Sequence, residues 1–223
     1  MLERGRYKCM DSSAMPVQSG DKAIVHVVDD DASMRGALEN LFESVGLGTK
    51  TYAAAGDFLA TNLTDRPGCL VIDIRLPDMN GLDFQAQLTR IGVRLPVVMM
   101  TGHGDIPMSV RAMKRGAVDF LPKPFHDQDM LDAVMAAIER DRQRRTVDDD
   151  VAQIQQRFGT LSPREQQVMM LVTTGKMNKQ VAGDLGISEI TVKIHRAAGM
   201  RKMGARTLAD LVRLAEVLKP KKS

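Results

Sequence analysis

The chain is poor in cysteine. Cys9 and Cys69 stand far apart and form no Cys-x-x-Cys pair. A disulfide framework and a zinc site are thereby excluded, and a reducing, cytoplasmic setting fits. Long apolar runs are missing as well. No uninterrupted stretch reaches the roughly 20 residues that a helix needs to cross a bilayer, so no membrane role is expected. The opening stretch "MLERGRYKCMDSSAMPVQSGDK" has no apolar core of a signal peptide. It is polar and aperiodic, and reads as a disordered leader over residues 1–22, with Met10 and Met15 as alternative starts.

What is present is an ordinary globular composition, 43% hydrophobic and 26% charged over 223 residues, enough for one large or two small domains. The formal charge of +3 hides an asymmetry. Residues 151–223 carry 13 Lys and Arg against 5 Asp and Glu, net +8; residues 1–150 carry 18 against 23, net −5. An acidic front and a basic back suggest two domains, the second of which meets a polyanion.

From Ala23 onward short strand-like runs, most of them apolar, alternate with stretches of helical spacing. "AIVHVVD" precedes "SMRGALENLFESVG", and "GTKTYA" precedes "AGDFLATNL". "CLVIDI" precedes "GLDFQAQLTRIG", and "LPVVMMTG" precedes "IPMSVRAMKRG". Last, "AVDFLPKPF" precedes "DQDMLDAVMAAIERDRQRR". Five strands each followed by a helix predict an α/β domain: a doubly wound five-stranded parallel sheet with helices on both faces. The strands are almost wholly apolar, as buried parallel strands are. Ligands of such sheets sit beyond the carboxyl ends of the strands.

Those ends hold the chemistry. The first strand ends in Asp29-Asp30-Asp31, the third in Asp73, the fourth in Thr101-Gly102, and the fifth near Lys123-Pro124. Gathered carboxylates repel unless a cation shares the site, and oxygen ligands suit a hard cation such as Mg²⁺. A lysine and a hydroxyl opposite them suit phosphoryl oxygens. Asp73 is then a plausible nucleophile that forms an acyl phosphate. The plainer reading of the aspartate triplet is capping of the next helix. Capping alone does not explain Asp73, Thr101 and Lys123 at matching ends.

"VVDDD", "LVIDIRLPDMNG", "VVMMTGHGD" and "DFLPKPF" together resemble the receiver domain of two-component response regulators. The run "HGDIPMSVRAMKRGAVDFLPKPF" resembles the StyR/TodT/FixJ branch of that family. The resemblance implies that Asp73 is the phosphoacceptor. It implies that Asp29, Asp30, Asp73 and the backbone carbonyl of Arg75 hold Mg²⁺, with Mn²⁺ as a substitute. It also implies that Lys123 binds the phosphoryl group ahead of a cis proline, and that Thr101 and Phe120 form a switch pair. Arg75 and His103 are expected at the mouth of the site. The expected phosphorylation-dependent dimer face includes "MSVRAMKRGAVDF".

Between the domains, residues 141–160 read as a helical linker. Val147, Val151, Ile154, Phe158 and Leu161 recur at spacings of four and three, the seam of a short coiled coil, or else a helix packed on its own domain. Residues 161–223 read as a basic all-α unit of four helices. Ser162, Pro163 and Glu165 form a helix start with a capping box. "MNKQVAGDLG" and "ISEITVKIHRAAGMRKM" meet at Gly186, as in a helix-turn-helix. The whole run "LSPREQQV…NKQVAGDLGISEITVKIH…KM" resembles the LuxR/NarL DNA-binding domain. On the second of these helices Val192, His195, Gly199 and Met203 face inward by spacing. Lys193, Ile194 and Ala197 are expected at base edges, and Lys179, Arg196 and Arg201 at phosphates. Two residues depart from the family pattern. Gly199 replaces a large aliphatic residue, and Ala197 replaces a longer polar one.

The reading is therefore a bacterial response regulator, a phosphoacceptor rather than an enzyme. Its expected partners are a sensor histidine kinase, double-stranded promoter DNA and RNA polymerase, with homodimerisation on phosphorylation. An aspartyl-phosphate phosphatase would need a carboxylate two residues after the nucleophile, where this chain has Arg75. A DNA-binding protein with a vestigial receiver would not need Asp29, Asp30, Asp73, Thr101 and Lys123 together.

Overall fold

The computed structural model describes residues 22–102 and 106–218. The leader up to residue 21 and His103 lie outside these described residues. The chain divides into two compact units, residues 1–142 and 143–223.

In the first unit, β1 (Ile24–Val28), β2 (Gly48–Tyr52), β3 (Gly68–Asp73), β4 (Val97–Thr101) and β5 (Asp119–Pro122) form one sheet in the order β2-β1-β3-β4-β5. Every pairing is parallel. Although the strands read as continuous apolar runs, their side chains still alternate between faces. Val25, Val27, Val71, Val98 and Met100 join one core cluster with Leu38 and Phe42 of α1 (Ala32–Ser44) and Met130, Val134 and Ile138 of α5 (Asp127–Gly159). Val28, Leu70, Ile72 and Met99 join the opposite cluster. There they meet Phe58 of α2 (Ala55–Leu59), Phe84 of α3 (Gly81–Arg90) and Ala112 of α4 (Ile106–Lys114). The strand order reverses direction between β1 and β3, so the cleft at a topological switch point lies between Asp29 and Asp73.

One boundary differs from the sequence reading: the second helix stops at Leu59, well short of Leu63. The fifth helix runs unbroken to Gly159 through the stretch read as a helical linker. Asp141, which falls in that stretch, is fully buried and accepts a hydrogen bond from Gly68 N at 3.1 Å. It therefore belongs physically to the first unit.

In the second unit, α6 (Pro163–Thr173), α7 (Asn178–Leu185), α8 (Glu189–Met203) and α9 (Leu208–Val217) follow the end of α5. The capping box on α6 is formed: Glu165 N donates to Ser162 Oγ, and Ser162 N donates to the Glu165 carboxylate. Gly186 ends α7 at φ 65°, a left-handed position that favours glycine. Ile154, Phe158 and Leu161 pack with Met169, Met203 and Leu211. Three of the five seam residues are thus spent on this unit's own core, whereas Val147 is exposed. Val168, Val172, Val181 and Val192 form a second cluster that joins α6, α7 and α8.

Candidate functional site

The end of β1 hands Asp29 into the cleft, fully buried. One of its carboxylate oxygens, Oδ1, accepts from Asp31 N at 2.9 Å, and the other, Oδ2, from Lys123 Nζ at 2.6 Å. Asp73, at the last position of β3, is also buried. Its Oδ2 accepts from Arg75 N at 3.1 Å, and its Oδ1 lies 3.1 Å from the same Lys123 Nζ. Lys123 thus bridges both carboxylates from the loop after β5. The Lys123–Pro124 peptide is cis. Lys123 N donates to Thr101 O at 2.6 Å, which ties this loop to the end of β4. Thr101 itself is buried, and Phe120 is half-buried against the α2–α3–α4 side of the sheet.

The electrostatics follow from two buried carboxylates sharing one ammonium. Burial raises the Asp73 pKa, the Lys123 hydrogen bond and charge lower it, and the nearby Asp29 raises it; the net shift is upward. For Lys123, burial opposes the charged form, but hydrogen bonds and attraction to Asp29 and Asp73 outweigh it, so its pKa is raised. The pair of carboxylates keeps a residual negative charge after one lysine is counted.

The aspartate triplet divides its labour. Asp31 is the helix cap: its Oδ1 accepts from Ser33 N at 2.8 Å. Asp30 is exposed beside the cleft. Arg35, absent from the sequence reading, donates to the carbonyls of Asp29 and Asp30 at 2.7 and 3.0 Å and fixes this corner. Asp29 and Asp73 converge with the Lys123 ammonium between them, and Asp30 follows Asp29 at the same strand end. The available donors are all oxygen and carry excess negative charge, which fits a hard divalent cation.

Gly81 is a second feature that the sequence reading missed, although it closes the quoted run "LPDMNG". A Cβ there would lie 2.6 Å from Asp73 O and 3.0 Å from Ile74 Cα. Only glycine lets α3 begin this close behind the phosphoacceptor candidate, with Gly81 N donating to Ile74 O at 2.9 Å. Asn80 caps that helix through Leu82 N. Arg75 is exposed.

In the second unit, α8 buries Val192, Gly199 and Met203, with His195 half-buried. Lys193, Ile194, Ala197 and Arg201 are exposed, as is Lys179 on α7. Arg196 is half-buried, and its Nη1 donates to Asn178 Oδ1 at 3.3 Å. It stands on the flank of α8 that meets α7, away from the centre of the exposed face.

Comparison with known proteins agrees with both units. The response regulator receiver domain family matches residues 25–135, and the luxR family of bacterial regulatory proteins matches residues 159–215. Nodulation protein W of Bradyrhizobium diazoefficiens is 57% identical over 201 residues, covering 90% of this chain and 88% of that protein. Response regulator protein TodT of Pseudomonas putida is 42% identical over 220 residues, covering 96% and 97%. The solved structure of response regulator StyR superposes with a TM-score of 0.78 at 49% identity, covering 87% of this chain and 98% of that one. The chain belongs to the FixJ/NarL-type response regulators of two-component systems, transcriptional regulators that join a receiver to a LuxR-type DNA-binding domain.

Proposed function

We propose that Asp73 is the phosphoacceptor of a Mg²⁺-dependent switch that controls promoter binding by the second unit. The observation that carries this reading is the Lys123 ammonium held between the buried carboxylates of Asp29 and Asp73, at 2.6 and 3.1 Å. Asp29, Asp30, Asp73 and the Arg75 carbonyl would hold the ion, which supplies charge neutralisation for the incoming phosphoryl oxygens; Mn²⁺ presents a similar demand. An Asp73 carboxylate oxygen attacks the phosphorus of a phosphohistidine on the sensor kinase. The new O–P bond forms as the N–P bond breaks, and the imidazole leaves with the electron pair. Lys123 then turns from Asp73 to a phosphoryl oxygen. The Thr101 hydroxyl donates to another, and Phe120 moves into the space that Thr101 vacates. The altered face around α4 and β5 pairs two copies, so that two recognition helices reach two half-sites.

At DNA, Lys193, Ile194 and Ala197 read base edges, and Lys179, Arg196 and Arg201 meet phosphates, Arg196 from the flank shared with Asn178. RNA polymerase is the downstream partner. The only chemistry expected of the chain itself is phosphotransfer to Asp73 and its later hydrolysis. The setting is the cytoplasm. Among the described residues no helix is long and apolar enough to cross a membrane.

The assignment is tested by labelling with a small acyl-phosphate donor in Mg²⁺. Wild type takes up one phosphoryl group, and Asp73→Asn takes up none. Equal labelling of the variant at a single site would remove Asp73 from this role.

A further inference from the structure

The exposed face of α8 is apolar at its centre. At about 100° per residue, Ile190, Ile194, Ala197 and Arg201 fall within about 60° of one another, directly opposite Val192, Gly199 and Met203. Ile190 is 70% exposed and Ile194 is 62% exposed. Folding gives no reason for isoleucine at Ile190. The side chain buries little there, and a β-branched residue is a weaker helix former than alanine, lysine or glutamate. An exposed apolar stripe instead marks a surface built to be covered.

Charge identifies what covers it. Lys193 flanks the stripe, Arg201 continues it toward the C-terminal end of α8, Lys179 lies exposed on α7, and residues 151–223 carry net +8. A polyanion is therefore the occupant. On the major-groove edges of double-stranded DNA the one apolar group is the thymine C5-methyl. Ile190 lies in the first turn of α8, after the Ser188 cap, and the N-terminal part of a recognition helix is the part that meets base edges.

We infer that Ile190 is a specificity-determining residue that packs on a thymine methyl of the promoter half-site, beside the base met by Ile194. This rests on the proposed reading of α8 as the recognition helix. Ile190 and Ile194 are one turn apart, about 6 Å along the helix axis. With base pairs about 3.4 Å apart, their contacts fall one to two base pairs from each other.

The test uses full-length protein treated with an acyl-phosphate donor and Mg²⁺. A duplex is first selected from a random pool. Each thymine in it is then replaced, one at a time, by 2′-deoxyuridine, which removes only the methyl. Wild type should lose about fourfold in affinity at the thymine read by Ile190, the value of one methyl-sized group taken from water. Ile190→Ala should show that loss on the unmodified duplex and no further loss on deoxyuridine at that position. Its sensitivity at the other thymines that wild type reads should persist, which shows an intact recognition helix. The inference is overturned if Ile190→Ala binds the unmodified duplex as tightly as wild type, or keeps the full deoxyuridine sensitivity at every thymine. If wild type enriches no sequence at all, the DNA-binding reading falls first and this inference falls with it.

Discussion

Replacing Gly199 by alanine should stabilise the second unit. Glycine in a helix interior costs about 1 kcal/mol relative to alanine, mostly through backbone entropy. Gly199 is buried in α8, yet a Cβ built there would meet only Leu161 Cδ2, at 3.9 Å. That is ordinary van der Waals contact, so the methyl enters without strain and adds up to about 0.8 kcal/mol of burial. The sum is about 1–2 kcal/mol, a factor of roughly 5–30 in the ratio of folded to unfolded forms. Native-state hydrogen exchange on the full chain reads this directly. The slowest amides of α8 should exchange more slowly by that factor in Gly199→Ala, while those of β1 and β3 stay unchanged. Gly68→Ala is the opposing control, because its Cβ would lie 2.3 Å from the backbone oxygen of Ile24 and must push β1 and β3 apart. Faster exchange of α8 in Gly199→Ala would refute the reasoning and show that the helix needs the glycine.

His26 gives the receiver a pH signature. Burial first, and then the charge of Lys50, lower its pKa from 6.5 to about 4. The unfolded chain therefore takes up this proton below about pH 6.5, while the folded one resists until about pH 4. The contribution is complete above pH 6.5 and is lost as pH falls from 6.5 to 4, to a ceiling on the order of 3 kcal/mol at ~1.4 kcal/mol per pK unit. Urea titrations across that window should show the slope in wild type and a flatter line in His26→Gln; equal slopes would contradict it. At DNA, Lys193→Ala should erode discrimination between selected and mismatched sites. Lys179→Ala should instead weaken all sites about equally and reduce the salt slope by about one. Competition binding at several salt concentrations separates the two, and identical profiles would remove the distinction.

The parts that were legible in sequence are those fixed by local patterning. The apolar runs are the strands, Asp73 stands at the end of β3, Ser162 and Glu165 close a capping box, and Gly186 stops α7. These depend on neighbours within a few residues. The missed features depend on what stands opposite in space. That Asp31 rather than Asp29 or Asp30 caps α1 is decided by which aspartate the buried end of β1 carries into the cleft. That Lys123 separates Asp29 and Asp73 requires the loop after β5 to fold over β1 and β3. The close approach of Gly81 to the Asp73 carbonyl was signalled only by a glycine following an Asn cap. The seam of Ile154, Phe158 and Leu161 has the period of a coiled coil. Period alone does not tell a partner helix from the helix's own domain, and the second unit's core takes those three side chains. Asp141 looked like one more charge in a charged linker, and its burial under Gly68 N carried no local sign.

The most direct test of the account is the affinity of the full-length chain for one selected duplex, measured with and without an acyl-phosphate donor in Mg²⁺, in wild type and in Asp73→Asn. Joining two weak half-site contacts into one bivalent contact should tighten wild-type binding by roughly 10²–10⁴ when the donor is present. Asp73→Asn should stay at the unphosphorylated affinity in both conditions. Equal binding by wild type with and without the donor, or the same gain in Asp73→Asn, would contradict the claim that Asp73 gates DNA binding.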